Sequence, residues 1–299
     1  MFTSRHQEQR RLSCEDVCKL RVNVSLVVRL KVRQARALNN YEDSAHSRLQ
    51  HFPRMLSQRT MIDLKRLSQH DLETEPYRWA VIDQLFSPGD AEALAATFPH
   101  DRFKRLSYYG GDKDSEYEAR ALIGMGEQSV SGPEKLSSAW QSLANEFLST
   151  AYRKAMASLT GIDLSAAPLE VNVFHYPPGG LLGAHADLQD KIVTHVLYFN
   201  QSWNNDDGGC LTILRSSDPA EIVMTVSPVV GNSAVLVRSD NSWHAVAPLV
   251  QNCRLSRRSL TATFYHPGSV STMWPPGDAT PLHDYSTNRL KRWWGKLTR

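Results

Sequence analysis

Cysteine is too scarce here to staple a fold: Cys14, Cys18, Cys210 and Cys253 are four residues in 299, unevenly placed, and they argue against a disulfide framework. Cys14 and Cys18 have no second ligand pair nearby, which argues against structural zinc. Long apolar runs are missing too. The nearest, Val22 to Val32, is broken by Asn23, Ser25, Arg29 and Lys31, so no segment reads as a membrane span. Nor is there a general positive charge. The net +3 comes from residues 1–60, which hold twelve Lys/Arg against five Asp/Glu; the other 239 residues carry 22 against 26. A basic footprint for nucleic acid is therefore absent, and the expected setting is a reducing cytoplasm with neither membrane nor nucleic-acid partners.

What remains is an ordinary globular composition, 41% hydrophobic, in a chain long enough to bury a core. Residues 1–60 lack amphipathic period and read as a poorly structured basic extension. Glu8, Glu15, Asp16, Glu42 and Asp43 argue against a transit peptide, so the expectation is that translation begins at Met61. Residues 61–165 read as a helical and mixed support region. Tyr77–Phe86 suggests a strand, Ser87-Pro88 an N-cap and first helical position, and 102–124 a loop over a core with a strand near 118–123. Leu136, Trp140, Leu143 and Phe147, then Tyr152, Ala155, Met156 and Leu159, carry a helical period over 133–161 with a break at Ser149-Thr150. Gly161 suits the C-terminal cap. From 166 to 267 short strands alternate with turn clusters, the cadence of an antiparallel barrel. Residues 268–299 read as a lid or tail, with a basic, Trp-rich helix at 289–297.

Chemistry concentrates in the barrel segment. In His185-Ala186-Asp187 residues i and i+2 of an extended strand project to one side, so an imidazole and a carboxylate converge. His244 follows 59 positions later. Two histidines and one carboxylate leave open positions on a metal, the facial arrangement of non-haem Fe(II) oxygenases. Thirteen residues on, Arg257, Ser259, Thr261 and Thr263 share one face of a strand. An inward guanidinium needs an anion, and with a Ser hydroxyl beside it suits a carboxylate. Arg254 or Arg258 would replace Arg257 if the register slipped. His175 alternates away from Tyr176 and reads as a packed or surface histidine, and His195 alternates away from Thr194 and Tyr198, outside the ligand set.

His-x-Asp, a distal His, and Arg-x-Ser on the last core strand resemble the 2-oxoglutarate/Fe(II)-dependent dioxygenases, within them the prolyl-hydroxylase-like branch. The resemblance implies an α+β fold around a double-stranded β-helix (jelly roll), with Fe(II) on His185, Asp187 and His244. It also implies 2-oxoglutarate near Arg257, Ser259, Tyr198, Thr194 and Tyr176, and O2 as cosubstrate. Halogenating relatives replace the carboxylate by a small residue, so Asp187 implies hydroxylation. Pro76-Tyr-Arg-Trp-Ala-Val, Gly110-Gly-Asp-Lys-Asp followed by Arg120, Pro168-Leu-Glu-Val171 and Trp274 are similar to free amino-acid radical halogenases and hydroxylases. That similarity implies a small-molecule substrate, a free polar or basic amino acid, held by Arg120 on its carboxylate and Glu170 on its ammonium, with Asn172 at the mouth and Trp274 as a lid. A peptidyl, prolyl-type hydroxylase and an inactive jelly-roll binding module are the competing readings.

Overall fold

The computed structural model describes residues 60–110 and 114–284. The basic extension, its cysteines and the expected helix at 289–297 lie outside them. In chain order the elements are α1 (Leu64–Gln69), β1 (Trp79–Ile82), α2 (Pro88–Ala96), β2 (Lys104–Tyr108), β3 (Ser115–Ile123), α3 (Ser138–Phe147), α4 (Thr150–Thr160), β4 (Leu169–Tyr176), β5 (Leu181–His185), β6 (Lys191–Tyr198), β7 (Leu211–Leu214), β8 (Ile222–Val226), β9 (Ser233–Val237), β10 (His244–Val246) and β11 (Arg257–Tyr265). The strands form one antiparallel sheet in the order β1-β9-β6-β11-β4-β3-β5-β10-β7-β8, with β2 on β3, which curls into a nearly closed jelly-roll barrel.

Three strands precede residue 166, so the sheet starts ahead of the segment to which sequence patterning assigned the barrel. The expected loop over 102–124 is instead a hairpin. Lys104 pairs with Ala119 and Tyr108 with Ser115, and β3 continues onto β4 with Ala119, Leu122 and Ile123 buried. The strand expected near 118–123 is β3; β2 carries no such signal because Lys104 alone of its side chains is buried, which leaves no apolar period.

Helices form where caps and period agree. Ser87 Oγ accepts from Asp90 N with Pro88 at the first helical position of α2, and Ser137 caps α3. The break falls at Ser149, whose hydroxyl accepts from Tyr152 N to start α4; Gly161 ends it at φ 66°, a left-handed conformation glycine adopts without strain. Trp140, Leu143 and Phe147 of α3 and Tyr152, Met156 and Leu159 of α4 bury one face of each helix. They meet Val171 and Val173 of β4, Val193 and Leu197 of β6, and Leu260, Ala262 and Phe264 of β11 in one apolar core. Each such side chain contributes about 1.5–3 kcal/mol on burial. Glu146 caps the start of the described chain by accepting from Met61 N at 2.7 Å and Ile62 N at 3.2 Å.

His195 lies in this layer, with Nδ1 3.0 Å from the Tyr152 hydroxyl and no partner on Nε2. Burial lowers its pKa from 6.5 to about 3. The folded protein therefore keeps His195 neutral while the unfolded chain protonates it below about pH 6.5, so stability falls as pH drops from there toward 3. One such site gives a slope of up to about 1.4 kcal/mol per pH unit. Urea unfolding from pH 7 to 4 should show that slope, and His195→Asn should reduce it; an unchanged slope would mean His195 titrates normally in the fold.

Candidate active site

Strand β11 is hydrogen-bonded on both edges, Ser259 opposite Phe174 of β4 and Tyr198 of β6, Thr263 opposite Glu170 and Thr194. Its even residues from Leu260 to Phe264 enter the helical core, and its odd residues, Arg257 to Thr263, line a cavity of about 180 Å³ inside the barrel, with Tyr265 following them past a bulge. The opposite wall is β5 and β10, where His185 and His244 are register partners. Gly208, at φ 73°, precedes β7; a Cβ there would lie 2.0 Å from Pro248 O, so only glycine lets the chain pass the end of β10 this closely.

At the mouth of that wall His185, Asp187 and His244 offer ligand atoms that all lie within 4.8 Å of one another, a cluster that could hold a metal ion. Each imidazole faces a backbone carbonyl through Nδ1, His185 to Gly183 O at 2.9 Å and His244 to Ser242 O at 2.8 Å. A carbonyl only accepts, so Nδ1 carries the proton and Nε2 presents the lone pair, the orientation that ligating histidines need. Asp187 accepts from Lys191 Nζ at 2.6 Å and Thr194 Oγ1 at 3.0 Å. Burial pushes its carboxyl up, but the Lys191 charge and the two imidazoles outweigh that and hold it far below the usual range, ionised as a ligand must be.

Arg257 sits deeper, its side chain 2% exposed. Its Nη1 donates to Ser259 Oγ at 2.7 Å, and the guanidinium lies 4.7 Å from the Tyr176 ring centroid and 5.3 Å from that of Tyr198. Its Nε has no hydrogen-bond partner, and no carboxylate among the described residues lies within ion-pair distance. A buried cation without an anion is costly unless something anionic enters the cavity. The cavity therefore fits a carboxylate at this end and a divalent metal at the triad. Arg254 is exposed, and Arg258 turns outward to Ala95 O and the Phe98 ring.

The substrate residues are only partly brought together. Glu170 and Asn172 line the cavity; Glu170, 2% exposed, accepts from Tyr265 OH at 3.2 Å and Ser271 Oγ at 2.5 Å. Trp274 donates to Asn172 Oδ1 at 2.7 Å beside the cavity. Arg120 is a correction. It sits on the same face of β3 as Glu118, pairs in register with Val173, and turns to Asp101 at 3.6 Å and Ser131 O at 3.4 Å, away from the cavity. Alternation along β3 fixes this, since Ala119 holds the cavity side opposite Phe174.

Sequence reasoning missed Lys191, Tyr265, Ser271 and Met273. Alternation back from Thr194 would give the cavity Ile192, but a bulge between Phe264 and Tyr265 makes Lys191 the partner of Tyr265 and a cavity residue. No local signal marks that bulge.

Residues 171–264 match the model of the 2OG-Fe(II) oxygenase superfamily. Among solved structures the chain is similar to a Pseudomonas putida prolyl-4-hydroxylase (23% identity, 63% of this chain and 92% of that one, TM-score 0.43). It is also similar to a Trichoplax adhaerens prolyl hydroxylase in complex with a hypoxia inducible factor peptide fragment (16%, 69% and 87%, 0.44) and to Phytophthora capsici prolyl 4-hydroxylases (19%, 82% and 78%, 0.45). At that level of similarity they leave the substrate open. No curated protein matches the sequence significantly. The matched residues run from β4 to β11 and hold the triad and Arg257, so it is over the barrel that the chain is similar to the 2OG-Fe(II) oxygenase superfamily. It is an oxygenase that uses Fe(II), 2-oxoglutarate and O2. Among the described residues no helix is long and apolar enough to cross a membrane.

One Co(II) per chain, read from its visible absorption, should bind the metal-free protein, and His185→Ala, Asp187→Ala and His244→Ala should each lose it. Unchanged binding in all three would place the metal elsewhere.

Proposed function

We propose that the enzyme hydroxylates an sp³ carbon of a free polar or basic amino acid in the cytoplasm, with His185, Asp187 and His244 as metal ligands. Bound there, Fe(II) with 2-oxoglutarate and O2 supplies an oxidative decarboxylation to succinate and CO2 that delivers one oxygen atom to a C–H bond. The residues of the chain place the reactants. Arg257 and Ser259, both buried, take the distal carboxylate of 2-oxoglutarate in a charge-assisted contact. Tyr176 and Tyr198 wall that guanidinium, and burial pushes both phenols up so that they stay protonated. Thr194 holds Asp187 in place.

Glu170 is the observation that carries the substrate reading. It is a buried carboxylate facing the cavity, held by two hydroxyls but with no cation among the described residues within ion-pair distance. Burial, then the Glu170 carboxylate, pushes Tyr265 up, so its hydroxyl donates. Hydroxyls orient a carboxylate without neutralising it, and a substrate ammonium would do so. Asn172 and Trp274 close the same side.

Arg257→Ala should raise the KM for 2-oxoglutarate about 10²-fold, roughly 3 kcal/mol for a desolvated charge-assisted pair, while Arg254→Ala and Arg258→Ala leave it near wild type. A collapse in either of those instead would reassign the cosubstrate cation. Mass spectrometry of reactions with a panel of free amino acids should show the gain of one oxygen, lost in Glu170→Ala. Oxidation of a prolyl peptide and of no free amino acid would install the peptidyl reading.

A further inference from the structure

With Arg120 turned away, the substrate reading lacks a cation for the amino-acid carboxylate. The charged side chains that line the cavity are Glu170, Asp187, Lys191 and Arg257, with the two triad histidines. Asp187 belongs to the triad and Arg257 to the cosubstrate end, which leaves Glu170 and Lys191 as one charge of each sign. The register places them on one rim. Lys191 of β6 partners Tyr265 of β11, Tyr265 donates its hydroxyl to Glu170, and Glu170 of β4 partners Thr263 two residues earlier on β11. Their backbones are two strand spacings apart, about 10 Å across the sheet, with an offset of two residues along β11, and both side chains line the cavity. Lys191 is 22% exposed, and among the described residues one of the three N–H donors on its ammonium is engaged, by Asp187 Oδ1 at 2.6 Å.

We propose that Lys191 is the specificity-determining cation of this enzyme, donating to the substrate's α-carboxylate while Glu170 takes an ammonium, so that the rim selects a zwitterion. The assignment rests on the free amino-acid reading. It explains why a bulge in the β6–β11 pairing turns a lysine, rather than Ile192, toward the cavity at the one position adjoining both Asp187 and Tyr265. A compact ammonium on a flexible stem can keep its contact with Asp187 and offer the remaining donors outward, which a planar guanidinium does less readily.

The test compares pairs of compounds that differ only in the carboxylate: L-lysine with cadaverine and L-ornithine with putrescine, in wild type, Lys191→Met and Lys191→Arg. Wild type should favour the amino acid over its diamine by about tenfold or more in kcat/KM, the effect of one charge-assisted contact. Lys191→Met loses the contact with Asp187 and should weaken Co(II) binding for every substrate alike, but it should raise the amino-acid KM by a further factor of about ten over the diamine KM and so erase the preference; Lys191→Arg should restore part of the preference. Equal losses for amino acid and diamine, with the wild-type preference intact in Lys191→Met, would overturn the assignment and leave Lys191 as a support for Asp187 alone. Wild-type oxidation of diamines as readily as amino acids would overturn it while the small-molecule reading stands. Wild type that oxidises a peptide and none of the four compounds would end both.

Discussion

A strand hydrogen-bonded along both edges cannot shift its register without breaking two ladders, and β11 is in that position between β4 and β6. Nine residues of it set the two halves of the molecule apart. Leu260, Ala262 and Phe264 are committed to the helices, which commits Arg257, Ser259, Thr261 and Thr263 to the cavity. A one-residue slip would bury Arg258 in the cavity and drive Arg257 into an apolar layer, so the hydrophobic core enforces the placement of the buried guanidinium. The helices are therefore part of the site's construction, although none of their residues lines the cavity.

Inside the barrel the organising difficulty is charge. A carboxylate, a guanidinium and a second carboxylate lie at most 7% exposed at Asp187, Arg257 and Glu170. Asp187 meets two donors, Glu170 meets two hydroxyls, and Arg257 meets one Ser and two aromatic faces. Each is left with capacity that ligands of opposite sign would use. Uncompensated burial of this kind lowers stability, and it persists in enzymes because the same sites become favourable when the ligands are present.

Much of this was legible beforehand because short periods encode it. Alternation sorted β11 correctly, the i, i+3, i+4 pattern located α3 and α4, and Ser149 marked the break between them to the residue. His185, Asp187 and His244 do come together, although β5 ends at His185 and Asp187 follows it outside the strand, and pairing of β5 with β10 supplied the third member. The strand near 118–123 was legible as β3, but its partner β2 was not, because β2 buries only Lys104 and shows no apolar period of two.

Arg120 and Lys191 mark the boundary between the two kinds of information. Sequence by itself determined the barrel strands and the inward guanidinium, which follow from local alternation, and named the members of the triad, which the pairing of β5 with β10 then brought together. Which cation stands beside the substrate was decided only in three dimensions. Arg120 follows the alternation of β3 away from the cavity to Asp101, and Lys191 is turned inward by a bulge whose cause is the pairing of β6 with β11 rather than anything in either strand alone.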